Sequence, residues 1–135
     1  MVLTFSQMRE QAFILVFEKI FNSEIDNNEL YAVALDAGVI IESNKTLELF
    51  KKTAENTEDI DIYLEKYLKK WTKDRISKVS LAVLRLAFCE ILYFPQTPKA
   101  VVINEAVELS KTYGVEEDYS FVNGLLSAFV RDREE

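Results

Sequence analysis

The chain has no histidine and a single cysteine, Cys89. One thiol cannot close an intramolecular disulfide, and without histidine there is no plausible zinc or haem site. The commonest general base near neutral pH is missing as well. No apolar run reaches the ~18–20 residues needed to span a bilayer. The start, MVLTFSQMRE, carries no basic segment ahead of an apolar one and no signal cleavage site. These absences predict a soluble, cytoplasmic protein without cofactor or metal. Glycine and proline are also scarce, with three and two residues among 135. So few breakers imply long regular elements, and no alternating β-branched run suggests strands, so the expected class is all-α.

Enough is present to build one such domain over residues 1–135. Apolar residues make up 49% of the chain and charged residues 29%, an ordinary globular balance. A chain of this length buries roughly two thirds of its unfolded surface. The formal net charge of −7 argues against a generic nucleic-acid binder, which normally presents a basic face. The charge is uneven, however. From Glu24 to Asp61, ten carboxylates face only Lys45, Lys51 and Lys52. From Lys66 to Lys78, six cations face only Asp74. The second run reads most simply as a helix end obeying the dipole rule, with an added binding surface as the other reading.

Helical spacing recurs along the chain. Thr4 or Ser6 caps a first helix that runs to about Phe21, and Asp26 caps a second whose stripe is Leu30, Val33, Ala34, Ala37 and Ile41. Gly38 falls inside that stripe and marks a close contact or an early end. Ser43 and Asn44 open a third helix to about Glu55, Thr57 caps a fourth, and Trp71 closes it. The fifth, about Ile76 to Phe94, is apolar nearly all round and belongs mid-bundle. Its one oddity is Arg85, which must be paired or must snorkel. A buried pair with Glu105 or Glu90 is the simple account. Arg85, Asn104 and Glu105 do not make a catalytic cluster, because no nucleophile or tuned base accompanies them. Cys89 reads as an inert core thiol.

The most informative stretch is PKAVVINEAVELSKTYGVEEDYSFVNGLLSAFV, from Pro98 to Val130. Pro98 can open a helix, and Val102, Ala106, Leu109 and Tyr113 form its stripe. Gly114 sits where helices end in a left-handed residue that glycine adopts cheaply. Glu116, Glu117 and Asp118 follow, where negative charge favours the next helix. INEAVELSKTYG, the acidic turn and FVNGLL resemble the C-terminal signature of the NusB family of bacterial transcription antitermination factors. RISKVSLAVLRLAFCEIL, Arg75 to Leu92, is similar to that family's central helix.

The resemblance implies a compact bundle of about seven helices in two subdomains, the first three packed against the rest. It also implies a non-catalytic role: binding boxA-type single-stranded RNA of ribosomal transcripts with NusE, a small-subunit ribosomal protein, within an RNA polymerase antitermination complex. The family includes monomers and dimers, so a homodimer stays open. Family RNA contacts come from an N-terminal arginine cluster, the turn before FVNG and that motif's Phe. Here Ser6, Gln7 and Met8 stand where arginines are typical, and Arg9 remains. The implied RNA-contacting set is Ser6, Gln7, Arg9, Lys111, Glu117 and Phe121. For Ser6 and Gln7 the alternative is helix capping, for Lys111 a solvated helix end, and for Phe121 core packing. Asn123 is expected to make a helix-fixing hydrogen bond, with ligand contact as the alternative. The depleted cation set favours a second functional reading, a protein–protein interaction module with weak or no RNA binding.

Overall fold

Helix starts in this chain are set by side chains that satisfy the first free N–H groups. The computed structural model describes residues 2–68 and 73–134. Trp71, Thr72, Lys69 and Lys70, which the sequence assigns to a helix end and turn, lie outside these. α1 (Phe5–Phe21) begins at Thr4: its hydroxyl accepts from the Gln7 N–H, and the Gln7 side chain accepts from the Thr4 N–H. Thr4, not Ser6, is therefore the cap. Asp26 caps α2 (Asn27–Asp36), Ser43 caps α3 (Asn44–Glu55) and Ser77 caps α5 (Lys78–Tyr93). α6 (Lys99–Tyr113) starts directly after Pro98, and α7 (Glu116–Glu134) starts with three acidic residues.

Three local expectations are corrected. Thr57 does not cap α4 (Thr57–Leu68); its hydroxyl turns back and donates to the Thr53 and Ala54 carbonyls at the end of α3. α2 stops at Asp36 and does not reach Ile41. Gly38 takes φ 74° just beyond it, and the Gly38 and Val39 N–H groups donate to the Leu35 and Ala34 carbonyls. This is a Schellman close, and it turns Ile40 rather than Ile41 into the core. Gly114, by contrast, is not left-handed: its φ of −112° and ψ of −162° are extended.

α5 is the axis. It packs against α1, α3, α4, α6 and α7, and every residue from Ser80 to Ile91 except Arg85 is buried. α1, α2 and α3 pack on one another, and α6 and α7 pack on each other. The Phe88 and Phe129 rings stack 4.1 Å apart at 8°, and Tyr67 meets both edge-on. This trio pins α4 and α7 to the axis, and truncating Phe88 would cost about 3–5 kcal/mol.

The pairing expected for Arg85 is also corrected. Its Nε and Nη2 donate to Asp61 on α4 at 3.0 and 2.8 Å, and Lys73 reaches the same carboxylate at 3.1 Å. Neither Glu90 nor Glu105 is its partner, because both are taken from the other side by Arg9.

Candidate nucleic-acid interface

Arg9 projects inward. Its side chain donates to Glu90 from Nε at 2.7 Å and from Nη2 at 2.9 Å, and from Nη1 to Glu105 at 3.0 Å. The residue is 3% exposed and Glu90 is 1% exposed. Burial works against the guanidinium's charge, but the bond to Glu90 and the fields of Glu90 and Glu105 outweigh it and raise its pKa. A two-pronged pair of this kind clamps α1 onto α5 and α6. The guanidinium expected to meet a phosphate is thus committed internally, a consequence of acidic positions on α5 and α6 that close only in the folded chain.

Ser6 and Gln7 are exposed on the same helix start. The Ser6 hydroxyl donates to Glu105, and the Gln7 amide oxygen serves the capping box. With Glu10, Glu105, Glu108 and Thr112 they line a shallow cleft of about 170 Å³. A larger cleft of about 530 Å³ runs between α6 and α7, lined by Asn104, Val107, Glu108, Lys111, Tyr119, Ser120 and Asn123. Glu108 borders both, so the N-terminal edge and the α6–α7 face meet along the outer ridge of α6.

Lys111 is the cation of the larger cleft. Its side chain is 51% exposed, with Nζ 3.4 Å from Glu108 and 5.4 Å from the centre of the Tyr119 ring. Exposed pairs of this type are worth ~0.5 kcal/mol or less, so the ammonium can exchange Glu108 for a phosphate. Glu117 is exposed in the first turn of α7. Phe121 is half-buried against the core and borders neither cleft. The aromatic that does border one is Tyr119, two positions earlier on the other side of α7. Its spacing off the apolar stripe is the signal that could have singled it out. Asn123 makes no hydrogen bond among the described residues; it is exposed, and it lines the cleft with Asn104. The two amides sit where base edges could be read.

The turn joining α6 to α7 is tied down. Asp118 accepts from the hydroxyls of Ser77 and Ser80 at 2.7 and 2.9 Å and from the Val115 N–H at 2.8 Å. Partial burial pushes its pKa up, but these bonds together hold it below the ordinary carboxylate range. This explains Gly114: a Cβ there would lie 2.5 Å from an Asp118 carboxylate oxygen and 2.9 Å from the Ser110 carbonyl oxygen. At the last turn of α6, the Tyr113 hydroxyl donates to Glu10 at 2.8 Å. Burial first, then Glu10, pushes its pKa up to about 12.

Among the described residues no three His, Cys, Asp or Glu side chains converge as a metal site, and no helix is long and apolar enough to cross a membrane. Cys89 is fully buried, and burial pushes its thiol up to about 12, so it stays protonated and unreactive.

The chain overlays T. maritima NusB with a TM-score of 0.85 and 32% identity, covering 97% of this chain and 93% of that one. It overlays a chain of the antitermination factors NusB and NusE in complex with dsRNA with a TM-score of 0.83 and 25% identity, covering 94% and 96%. The sequence model of the NusB family matches residues 6–131. Over 127 residues the chain is 42% identical to the transcription antitermination protein NusB of Lysinibacillus sphaericus, covering 91% of this chain and 94% of that protein. Over 132 residues it is 36% identical to that of Finegoldia magna, covering 95% and 94%. The chain belongs to the NusB family of transcription antitermination proteins, a non-catalytic family.

Proposed function

We propose that this protein binds boxA-type single-stranded RNA together with NusE, as part of an RNA polymerase antitermination complex. The observation that carries the reading is the α6 ridge: it joins the exposed Ser6–Gln7 edge to a cleft holding an exposed lysine, an aromatic ring and two unpaired amides. Single-stranded RNA is held by this combination, with cations on phosphates, rings against bases and amides on base edges. A relative of the same fold is seen with NusE and RNA.

With Arg9 committed to Glu90 and Glu105 and carboxylates at Glu10, Glu105 and Glu108, few phosphates can be neutralised along this ridge. Affinity from this chain alone is then low and weakly salt-dependent, and NusE supplies the remainder. The experiment is a titration of labelled boxA-type RNA with the protein, with and without NusE, across salt concentrations. Tight binding only with NusE, lost on Lys111→Glu, is expected. The same internal use of Arg9 favours a second reading, a protein-only module. NusE binding with no RNA binding at low salt would replace the first reading with the second.

A further inference from the structure

We propose that the RNA path continues past Ser6 onto a second strip, made by Phe5, Lys45, Phe94, Tyr93 and Lys52, where single-stranded RNA is gripped by lysines of α3. This rests on the RNA-binding reading above and extends it to a surface on another side of α1. All three cations of the acidic Glu24–Asp61 stretch fall on α3. Two of them lie over aromatic rings. Lys45 Nζ is 5.4 Å from the centre of the Phe5 ring and 4.6 Å from that of Phe94, and Lys52 Nζ is 5.1 Å from that of Tyr93. Lys45 and Lys52 are two helical turns apart, roughly 10 Å along the axis, and the rings they cover, Phe94 and Tyr93, are consecutive residues.

Phe5 is the link to the ridge. It precedes Ser6 in the chain, and its ring lies 5.2 Å from the Arg9 guanidinium yet remains 49% exposed. An aromatic this open at the start of a helix contributes little to a core, and a base can stack on it. The counter-charges are Glu48, which pairs with Lys45 at 2.8 Å on the surface, and Asp59, whose field reaches Tyr93. An exposed pair three residues apart is weak and yields to a phosphate. Where the N-terminal arginines of the family pattern are absent, α3 thus brings Lys45 to the same helix start.

The test is the double variant Lys45→Gln/Lys52→Gln, which keeps most of each side-chain stem, and separately Phe5→Ser. Binding of labelled boxA-type single-stranded RNA to the full chain with NusE is measured across salt concentrations, and NusE affinity is measured alone. Losing two phosphate contacts should make the log–log salt slope shallower by about 1.4, a roughly twentyfold weaker affinity at 0.1 M salt. Phe5→Ser should weaken binding about fivefold or more with the slope unchanged. Wild-type binding with an unaltered double variant overturns the strip and leaves the proposed function standing. A fall in NusE affinity instead makes the strip a protein surface and overturns its RNA role. No RNA binding by the wild type removes both proposals.

Discussion

The two ends of α5 are held by different chemistry. Near its C-terminal end, Glu90 is sealed from water and bonded twice by Arg9, which also holds Glu105. From its middle to its N-terminal end, each tie has a partly exposed partner: Arg85 and Lys73 share Asp61, and Ser77 and Ser80 share Asp118. A sealed charge has no substitute when its partner goes, whereas a shared carboxylate keeps a second donor and some water. The first end therefore fixes α1 to the bundle rigidly, and the second distributes its load among weaker contacts.

The largest expected effect comes from Arg9→Met. It strands Glu90 in the core and should destabilise the fold by about 3–5 kcal/mol, read by urea unfolding. Adding Glu90→Met should recover much of that loss, since it removes the orphaned charge. Next is Gly114→Ala, which forces a Cβ against Asp118 and the Ser110 carbonyl and should cost about 1–3 kcal/mol. The cost should shrink in an Asp118→Ala background, where the carboxylate contact is gone and the Ser110 carbonyl at 2.9 Å and the Cβ of residue 118 at 3.1 Å remain. Arg85→Leu should cost about 1–2 kcal/mol, because Asp61 keeps Lys73. A loss as large as that of Arg9→Met would break the contrast between the two ends.

The smallest effect is a pH dependence at the wet end. Asp118 is held below its ordinary pKa of about 3.9. Its contribution is therefore complete above that value and fades as pH falls through the lower folded value. The wild type should exceed Asp118→Asn in stability at pH 6, and the two should converge on acidification, measured by thermal melts from pH 6 to 2. A gap that stayed constant would show that the hydrogen bonds to Ser77 and Ser80 do not depend on the charge.

The helices were legible because their causes are local. Thr4, Asp26, Ser43 and Ser77 cap the helices that follow them, and the nearly all-apolar α5 announces its central place. The ion pairs were not legible. Arg9 meets carboxylates 81 and 96 residues away, and nothing in spacing alone says whether Arg9 or Arg85 claims Glu90. Gly114 stands out at a helix end, but close approach of Asp118, rather than a left-handed backbone, requires it. At the candidate interface, Lys111 is visible as an exposed cation, but the motif points to Phe121 and not to Tyr119. The motif drew attention to the ring on the core side of α7.

The anchoring of Asp118 on the first turn of α5 has a consequence for recognition. A loop that must be frozen on contact forfeits affinity to lost motion. Here the bend beside the α6–α7 cleft is already fastened to the protein's most deeply packed helix. Under the proposed function, an RNA strand arriving there would meet a rigid docking edge, and the ordering penalty would fall on the strand alone.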